Sequence, residues 1–248
     1  MSHHGTPCWY ELSTSDIDAA QAFYTAILGW QIGDSVMPGM DYRLAKVADT
    51  AVAGLMLAQS PEQPTAWTIY FAVDTADTTF AAATAAGATP IVPPTDIPGT
   101  GRFALLIDPQ GAAFGILQPL PGGQGGAFDQ AKTGTGNWHE VMSPDTAASI
   151  AFYTALFGWT HIRTVPMGVM DYHILGLNQV EMIGAFTMPG APTMWKPYFG
   201  VASAHAATDA VTAAHGLVTR GPDAIPGGTF TLQITDPQGA VLALVGPA

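Results

Sequence analysis

Cationic side chains are scarce in this chain. Seven Lys and Arg stand against nineteen Asp and Glu in 248 residues, a formal charge of −12. So few cations cannot neutralise a run of phosphates, which excludes nucleic acid as a partner. An anionic membrane surface would repel such a chain. Cysteine is scarcer still. Cys8 is the single one, so neither an internal disulfide nor a cysteine-cluster metal site can form. No apolar run approaches the roughly 18 residues that a bilayer-spanning helix needs. The opening MSHHGTPCWYEL lacks the basic start and apolar core of a secretion signal. The expectation is a cytoplasmic protein with no membrane partner. Apolar residues, by contrast, are plentiful: at 48% of the chain they can bury a sizeable core.

What the chain does have is a repeat. WYELSTSDIDAAQAFYTAILGWQI over 9–32 is answered by WHEVMSPDTAASIAFYTALFGWTH over 138–161. The register continues through Met40-Asp41-Tyr42 and Met170-Asp171-Tyr172, then Gly54 and Gly184, then Trp67 and Trp195. It ends on Asp108-Pro109-Gln110-Gly111 and Asp236-Pro237-Gln238-Gly239. All six tryptophans fall into three matched pairs, at spacings of 128 or 129 residues. One domain has been duplicated, over 1–120 and 136–248. The join at 121–135 is glycine-rich and reads as a flexible linker.

Within a repeat, apolar spacing alternates between strand and helix periods. Strands are expected at Cys8–Thr14, Gln31–Val36, Tyr42–Val47, Val52–Ala58, Trp67–Val73, Pro90–Val92, Arg102–Ile107 and Ala112–Leu117. A helix follows Asp16, which can cap it, and stops at Gly29. A second, alanine-rich helix spans Thr75–Ala86 and is closed by Gly87. Asp108-Pro109-Gln110-Gly111 describes a tight hairpin. Each repeat therefore holds two βαβββ modules. The fold class is α+β: tandem duplicated domains, each a curved, mostly antiparallel sheet with helices outside.

The helix signature DxxxAxxFYxxxxGW, the DPxG hairpin and the paired βαβββ modules resemble the vicinal oxygen chelate superfamily. That group includes glyoxalase I, extradiol dioxygenases and bleomycin-resistance proteins. The resemblance spans both repeats and implies a cup-shaped cavity in each. It does not specify a reaction, because the fold hosts isomerases, dioxygenases, transferases and plain binders. It also implies a metal held by His and Glu from the cavity strands. The corresponding positions are Trp9 and Trp138, Leu55-Met56 and Ala185-Phe186, Thr68 and Lys196, and Gly115 and Ala243. None is a good ligand for a divalent ion. No metal and no cofactor is therefore expected.

The candidate residues are carboxylates and aromatics. Only four Glu occur, and Glu11 and Glu140 occupy one repeated position, two residues after Trp9 and Trp138 and so on the same strand face. Such a carboxylate could act as a general base, bind a cationic ligand, or brace the scaffold through a hydrogen bond. Trp9, Trp67, Tyr70, Trp138, His173, Trp195 and Tyr198 are expected to line the cavities, since aromatic walls with a few polar groups suit a small molecule. Phe23, Tyr24, Phe152 and Tyr153 recur at helical spacing and read as core. His139 alternates with Trp138 and Glu140 and is expected to point outward. His161 has Ile32 as its counterpart, and His205 and His215 read as solvated.

The leading reading is a metal-independent protein that binds a small apolar or aromatic molecule. The alternative is a lyase, isomerase or dioxygenase-type enzyme of the same fold, with Glu11 or Glu140 as base or metal ligand. A module with no ligand is the third reading. The partners are thus a small molecule and, within the chain, the other repeat; a homodimer is compatible with the sequence.

Overall fold

The computed structural model describes residues 3–34, 41–60, 62–121, 125–168 and 170–248. The first repeat runs β1 (Pro7–Thr14), α1 (Ile17–Leu28), β2 (Gln31–Asp34), β3 (Tyr42–Val47) and β4 (Thr50–Leu57). It continues with β5 (Ala66–Ala72), α2 (Ala76–Ala85), β6 (Thr89–Ile97), β7 (Gly101–Ile107) and β8 (Ala113–Pro119). The second repeats this order: β9 (Gly136–Met142), α3 (Thr146–Phe157), β10 (Thr160–Pro166), β11 (Asp171–Leu177) and β12 (Val180–Phe186). Then come β13 (Met194–Gly200), α4 (Ala204–Ala213), β14 (Leu217–Ile225), β15 (Thr229–Thr235) and β16 (Val241–Gly246). Two eight-stranded sheets result, in the orders β2-β3-β4-β1-β5-β8-β7-β6 and β10-β11-β12-β9-β13-β16-β15-β14. In each module the first strand runs parallel to the last and the rest are antiparallel. The α+β tandem architecture is the expected one. The end of the expected strand Gln31–Val36 lies outside the described residues.

Local signals place the helix ends. Asp16 accepts from Ala19 N at 3.0 Å and Asp145 from Ala148 N at 2.9 Å, which satisfies an otherwise unpaired N–H in each first turn. Gly29 and Gly158 close α1 and α3 with φ of +67° and +71°, a conformation that burdens any residue carrying a Cβ. The strand expected at Pro90–Val92 is longer, Thr89–Ile97, despite Pro90, Pro93 and Pro94. Its place at the sheet edge, with register shifts against β7, is where missing N–H donors are tolerated.

The chain forms two compact units that cut across the repeats. One holds residues 1–8, 69–125 and 138–195; the other holds 9–68, 126–137 and 196–248. Each therefore pools one module from either repeat. In the second unit α1 packs on α4, and Phe23 fills the space that a side chain at Gly216 would take. Phe199 meets Tyr10, Trp30 and Trp67 edge-on, with ring centroids 5.1 to 5.2 Å apart. In the first unit Phe71 makes the equivalent contacts with Trp159 and Trp195, both at 5.2 Å.

The repeated motifs explain this packing. Tyr24 of the FY signature donates to Asp236 Oδ2 at 2.8 Å and accepts from Trp67 Nε1 at 3.0 Å. Tyr153 donates to Asp108 Oδ2 at 2.7 Å and accepts from Trp195 Nε1 at 2.8 Å. The other oxygen of each Asp binds backbone N–H groups of its own hairpin. Helix signature and hairpin motif thus lock one repeat to the other inside each unit. Burial, reinforced by the Asp charge, pushes both Tyr hydroxyls well above their ordinary pKa.

The described residues of the join from Ala127 onward are hydrogen-bonded into the structure. Asp129 N donates to Gly136 O, Thr135 Oγ1 donates to Asp129 O, and Ala127 and Thr135 are buried. Gly134 O accepts from Trp30 Nε1 at 2.7 Å, as Gly5 O does from Trp159 Nε1 at 2.7 Å. The segment before the second repeat does for Trp30 of the first repeat what the first residues do for Trp159 of the second. Gly126 and Gly134 of the join come close to Thr50 and Val47, and Gly134 supplies a carbonyl acceptor.

Candidate functional site

Strand alternation sorts the aromatic side chains onto two faces. On β1, Tyr10 and Leu12 are fully buried against the helix side, while Trp9 and Glu11 point the other way and are half-buried. On β9, Trp138 and Glu140 take the same face. The predicted pairing of Trp with Glu therefore holds in both repeats.

These pairs belong to a chain of hydrogen bonds. Trp9 Nε1 donates to Tyr42 Oη at 3.1 Å, and that hydroxyl donates to Glu11 Oε2 at 2.9 Å. Trp138 Nε1 donates to Tyr172 Oη at 2.8 Å, which donates to Glu140 Oε1 at 2.9 Å. A glycine makes the arrangement possible. Glu11 is in register with Gly54, and Glu140 with Gly184. A Cβ at either glycine would overlap the Tyr42 or Tyr172 hydroxyl, so only glycine lets the ring lie flat across its neighbour strand. Burial, then the adjacent Glu charge, raises the Tyr42 hydroxyl pKa, and Tyr172 shifts the same way. Each stays a neutral phenol that orients the carboxylate. Phe186 stacks on Tyr172 with centroids 5.5 Å apart, adding an apolar wall in the second copy.

Ser13 completes the first copy. It follows Glu11 by two residues on the same strand face, and its buried hydroxyl has no hydrogen-bond partner among the described residues. A buried polar atom without a partner is rare and costly. The signal was present in the sequence as the next alternate position after Trp9 and Glu11, but serine alone carries no chemistry that singles it out.

The other expected cavity residues divide. Tyr70 lies on the face opposite the helices, over Gly115 and 6.4 Å from Phe103. Tyr198 takes the equivalent place, accepts from Gln233 Nε2 at 2.7 Å, and has Lys196 Nζ 5.4 Å from its ring. Trp67 and Trp195 lie apart from this set. They sit three residues before Tyr70 and Tyr198, hence on the opposite face, and are buried in the Tyr24 and Tyr153 clusters. His173 is also displaced. It directly follows Tyr172 on the strand, so it faces away from Glu140, toward His161 and Thr164. His139 is on the face opposite Trp138 as expected, but it is core rather than outward. Its Nδ1 lies 3.1 Å from Met182 O, and burial lowers its pKa to about 4. Phe23, Tyr24, Phe152 and Tyr153 are core, as read from their spacing.

The donor set at the positions implied by the resemblance does not fit a divalent ion. One indole, a Leu-Met pair, a threonine and a glycine stand there in the first repeat. No group of three or more His, Cys, Asp or Glu side chains close enough to share a metal occurs among the described residues.

Tandem βαβββ modules around eight-stranded sheets define a glyoxalase-type fold. The chain belongs to the glyoxalase/bleomycin resistance protein/dioxygenase superfamily, whose family model matches residues 7–116 and 136–244. A provisionally named glyoxylase of Mycobacterium bovis, CFP32, is 35% identical over 98% of this chain and 95% of its own. The anthracycline biosynthesis protein DnrV of Streptomyces peucetius is 27% identical over 97% of this chain and 93% of its own. Among solved structures, the fold matches a Mn(II)-bound glyoxalase from Novosphingobium aromaticivorans, with TM-score 0.68 and 19% identity, over 99% of this chain and 82% of that one. It also matches the 2,3-dioxygenase LapB of Pseudomonas sp. KL28, with TM-score 0.71 and 16% identity, over 100% of this chain and 94% of that one.

Proposed function

We propose that the chain binds a small, planar, mostly apolar molecule bearing hydroxyl groups, without a metal, at each Trp–Tyr–Glu set. One observation carries the reading: Trp9–Tyr42–Glu11 and Trp138–Tyr172–Glu140 form the same hydrogen-bonded chain in the two repeats, on the strand face opposite the helices. An indole offers a flat apolar wall, and an adjacent carboxylate accepts from a ligand hydroxyl. Ser13 gives the first copy a second polar group, so the first copy suits the more hydroxylated ligand. The relative DnrV, an anthracycline biosynthesis protein, favours a fused-ring hydroxylated aromatic as the ligand class. Cys8, a free thiol half-shielded at the start of β1, suits the reducing conditions of a cytoplasmic location.

Quenching of tryptophan fluorescence by 1,8-dihydroxyanthraquinone tests the reading. Saturable quenching is expected, unchanged after dialysis against EDTA, and weakened in Glu11→Gln and Glu140→Gln. Linear, unsaturable quenching would refute it. Saturation that vanishes with EDTA would favour the metal-enzyme alternative.

A further inference from the structure

The two repeats differ at one place where the second carries ligand-type side chains and the first does not. In the first repeat β2 pairs with β3 in unbroken register, from Gln31 opposite Lys46 to Asp34 opposite Arg43. In the second, β10 and β11 pair from Thr160 opposite Gly176 to Thr164 opposite His173, with a register shift between His161 and Arg163. The pair Gln31 and Thr160 is 129 apart, and the pair Asp34 and Thr164 is 130 apart, so one residue has been inserted at this bulge. The insertion has a geometric effect. His161 and Thr164 are three apart and would face opposite ways in a regular strand, but the bulge turns them to one side. His173, directly across from Thr164, joins them.

The three side chains converge on one point. His161 Nε2 lies 3.0 Å from Thr164 Oγ1, Thr164 Oγ1 lies 3.1 Å from His173 Nδ1, and the two ring nitrogens are 3.3 Å apart. Two nitrogens each about 2.0–2.1 Å from a tetrahedral ion stand about 3.3–3.4 Å from each other. The nearby cation does not compete, because Arg163 is held by both oxygens of Glu181 at 2.7 and 2.8 Å. Thr164 and His161 are exposed and His173 is half-buried, so solvent can fill the remaining coordination positions.

We propose that His161 and His173, with Thr164 between them, form a surface site for a divalent transition ion of the imidazole-preferring kind, copper(II) or zinc(II). The site lies on the strand face opposite Tyr172 and Glu140, and it is independent of the ligand reading above. Thr164 orients the two rings and lies close enough to be a third, weaker donor.

The experiment is a calorimetric zinc(II) titration of the full chain, with copper(II) electron paramagnetic resonance as the second readout. The variants borrow the first repeat's own residues: His161→Ile, as at Ile32, and His173→Arg, as at Arg43, and circular dichroism checks their fold. The expected result is one equivalent bound with micromolar affinity and a copper spectrum showing two coordinated nitrogens. Each variant should lose that equivalent, and Thr164→Val should weaken it roughly tenfold. A micromolar site that persists in both variants, held instead by other side chains such as His3 and His4, would overturn the proposal. So would wild-type binding no tighter than millimolar.

Discussion

Replacing Tyr153 by Phe isolates the lock between the helix signature and the hairpin. The hydroxyl is fully buried, donates to Asp108 Oδ2 at 2.7 Å and accepts from Trp195 Nε1 at 2.8 Å. Its removal leaves a buried indole N–H without an acceptor, a loss of about 1–2 kcal/mol, and a buried carboxylate oxygen short of a donor, about 2–3 kcal/mol. The hairpin itself should survive, because Asp108 Oδ1 keeps Gln110 N at 2.9 Å and Ala112 N at 2.8 Å. A total near 3–5 kcal/mol corresponds to a fall in melting temperature of roughly 10 °C for a chain of this size. Urea unfolding followed by circular dichroism measures it, with an unchanged slope showing that compactness is kept. Asp108→Asn should lose a similar amount, and the double variant less than the sum, since both changes break one bond. Tyr24→Phe in the other unit is the internal replicate, because Tyr24 binds Asp236 and Trp67 in the same way. A loss below about 1 kcal/mol in both Tyr variants would refute the idea that these motifs hold the repeats together.

Three further outcomes are expected. His139, pKa lowered from 6.5 to about 4 by burial, takes up its proton more readily when unfolded, so stability is complete above pH 6.5 and falls by about 3 kcal/mol as pH drops toward 4. His139→Tyr, the residue its counterpart Tyr10 supplies, should flatten that part of a melting-temperature profile; an identical profile would refute the assignment. Gly184→Ala should expel the Tyr172 ring and abolish anthraquinone quenching at the second copy while the first still saturates, read as a halved stoichiometry. Gly134→Ala places a Cβ 2.7 Å from Val47 Cγ2 at a φ of +77°, and should cost about 1–3 kcal/mol in urea unfolding.

Much of the fold was legible because it depends on local rules. Asp16 and Gly29 mark α1 by capping chemistry, and the repeat doubled every such signal. Trp9 and Glu11 were placed on one face by the period of two alone. The same rule, applied strictly, separates Trp67 from Tyr70, three residues later; treating both as wall residues overrode the period in favour of aromatic composition. His139 was misjudged because alternation gives the face but not what covers it. Its neighbours in space come from β12, beyond the reach of any local pattern. Tyr42 could not be joined to Glu11 from sequence either, since that contact spans 31 residues and needs Gly54 between them.

The duplication separates kinds of residue that a single domain would leave mixed. Tyr24 and Tyr153, with their Asp and Trp partners, occur twice and bond across the repeats, so each copy supplies half of the other's lock. A substitution in one repeat therefore weakens a unit that contains parts of both. The Trp–Tyr–Glu chain also occurs twice, but its bonds stay within one module, from β3 to β1 across β4 and from β11 to β9 across β12. Those bonds join no repeat to the other, and they end on a carboxylate set on the face away from the helices. The triad requires a glycine beneath it in both repeats, and what it presents on that face is the ground of the ligand proposal. Ser13, found only in the first copy, and the His161–His173 pair, found only in the second, are where the two halves have been free to diverge.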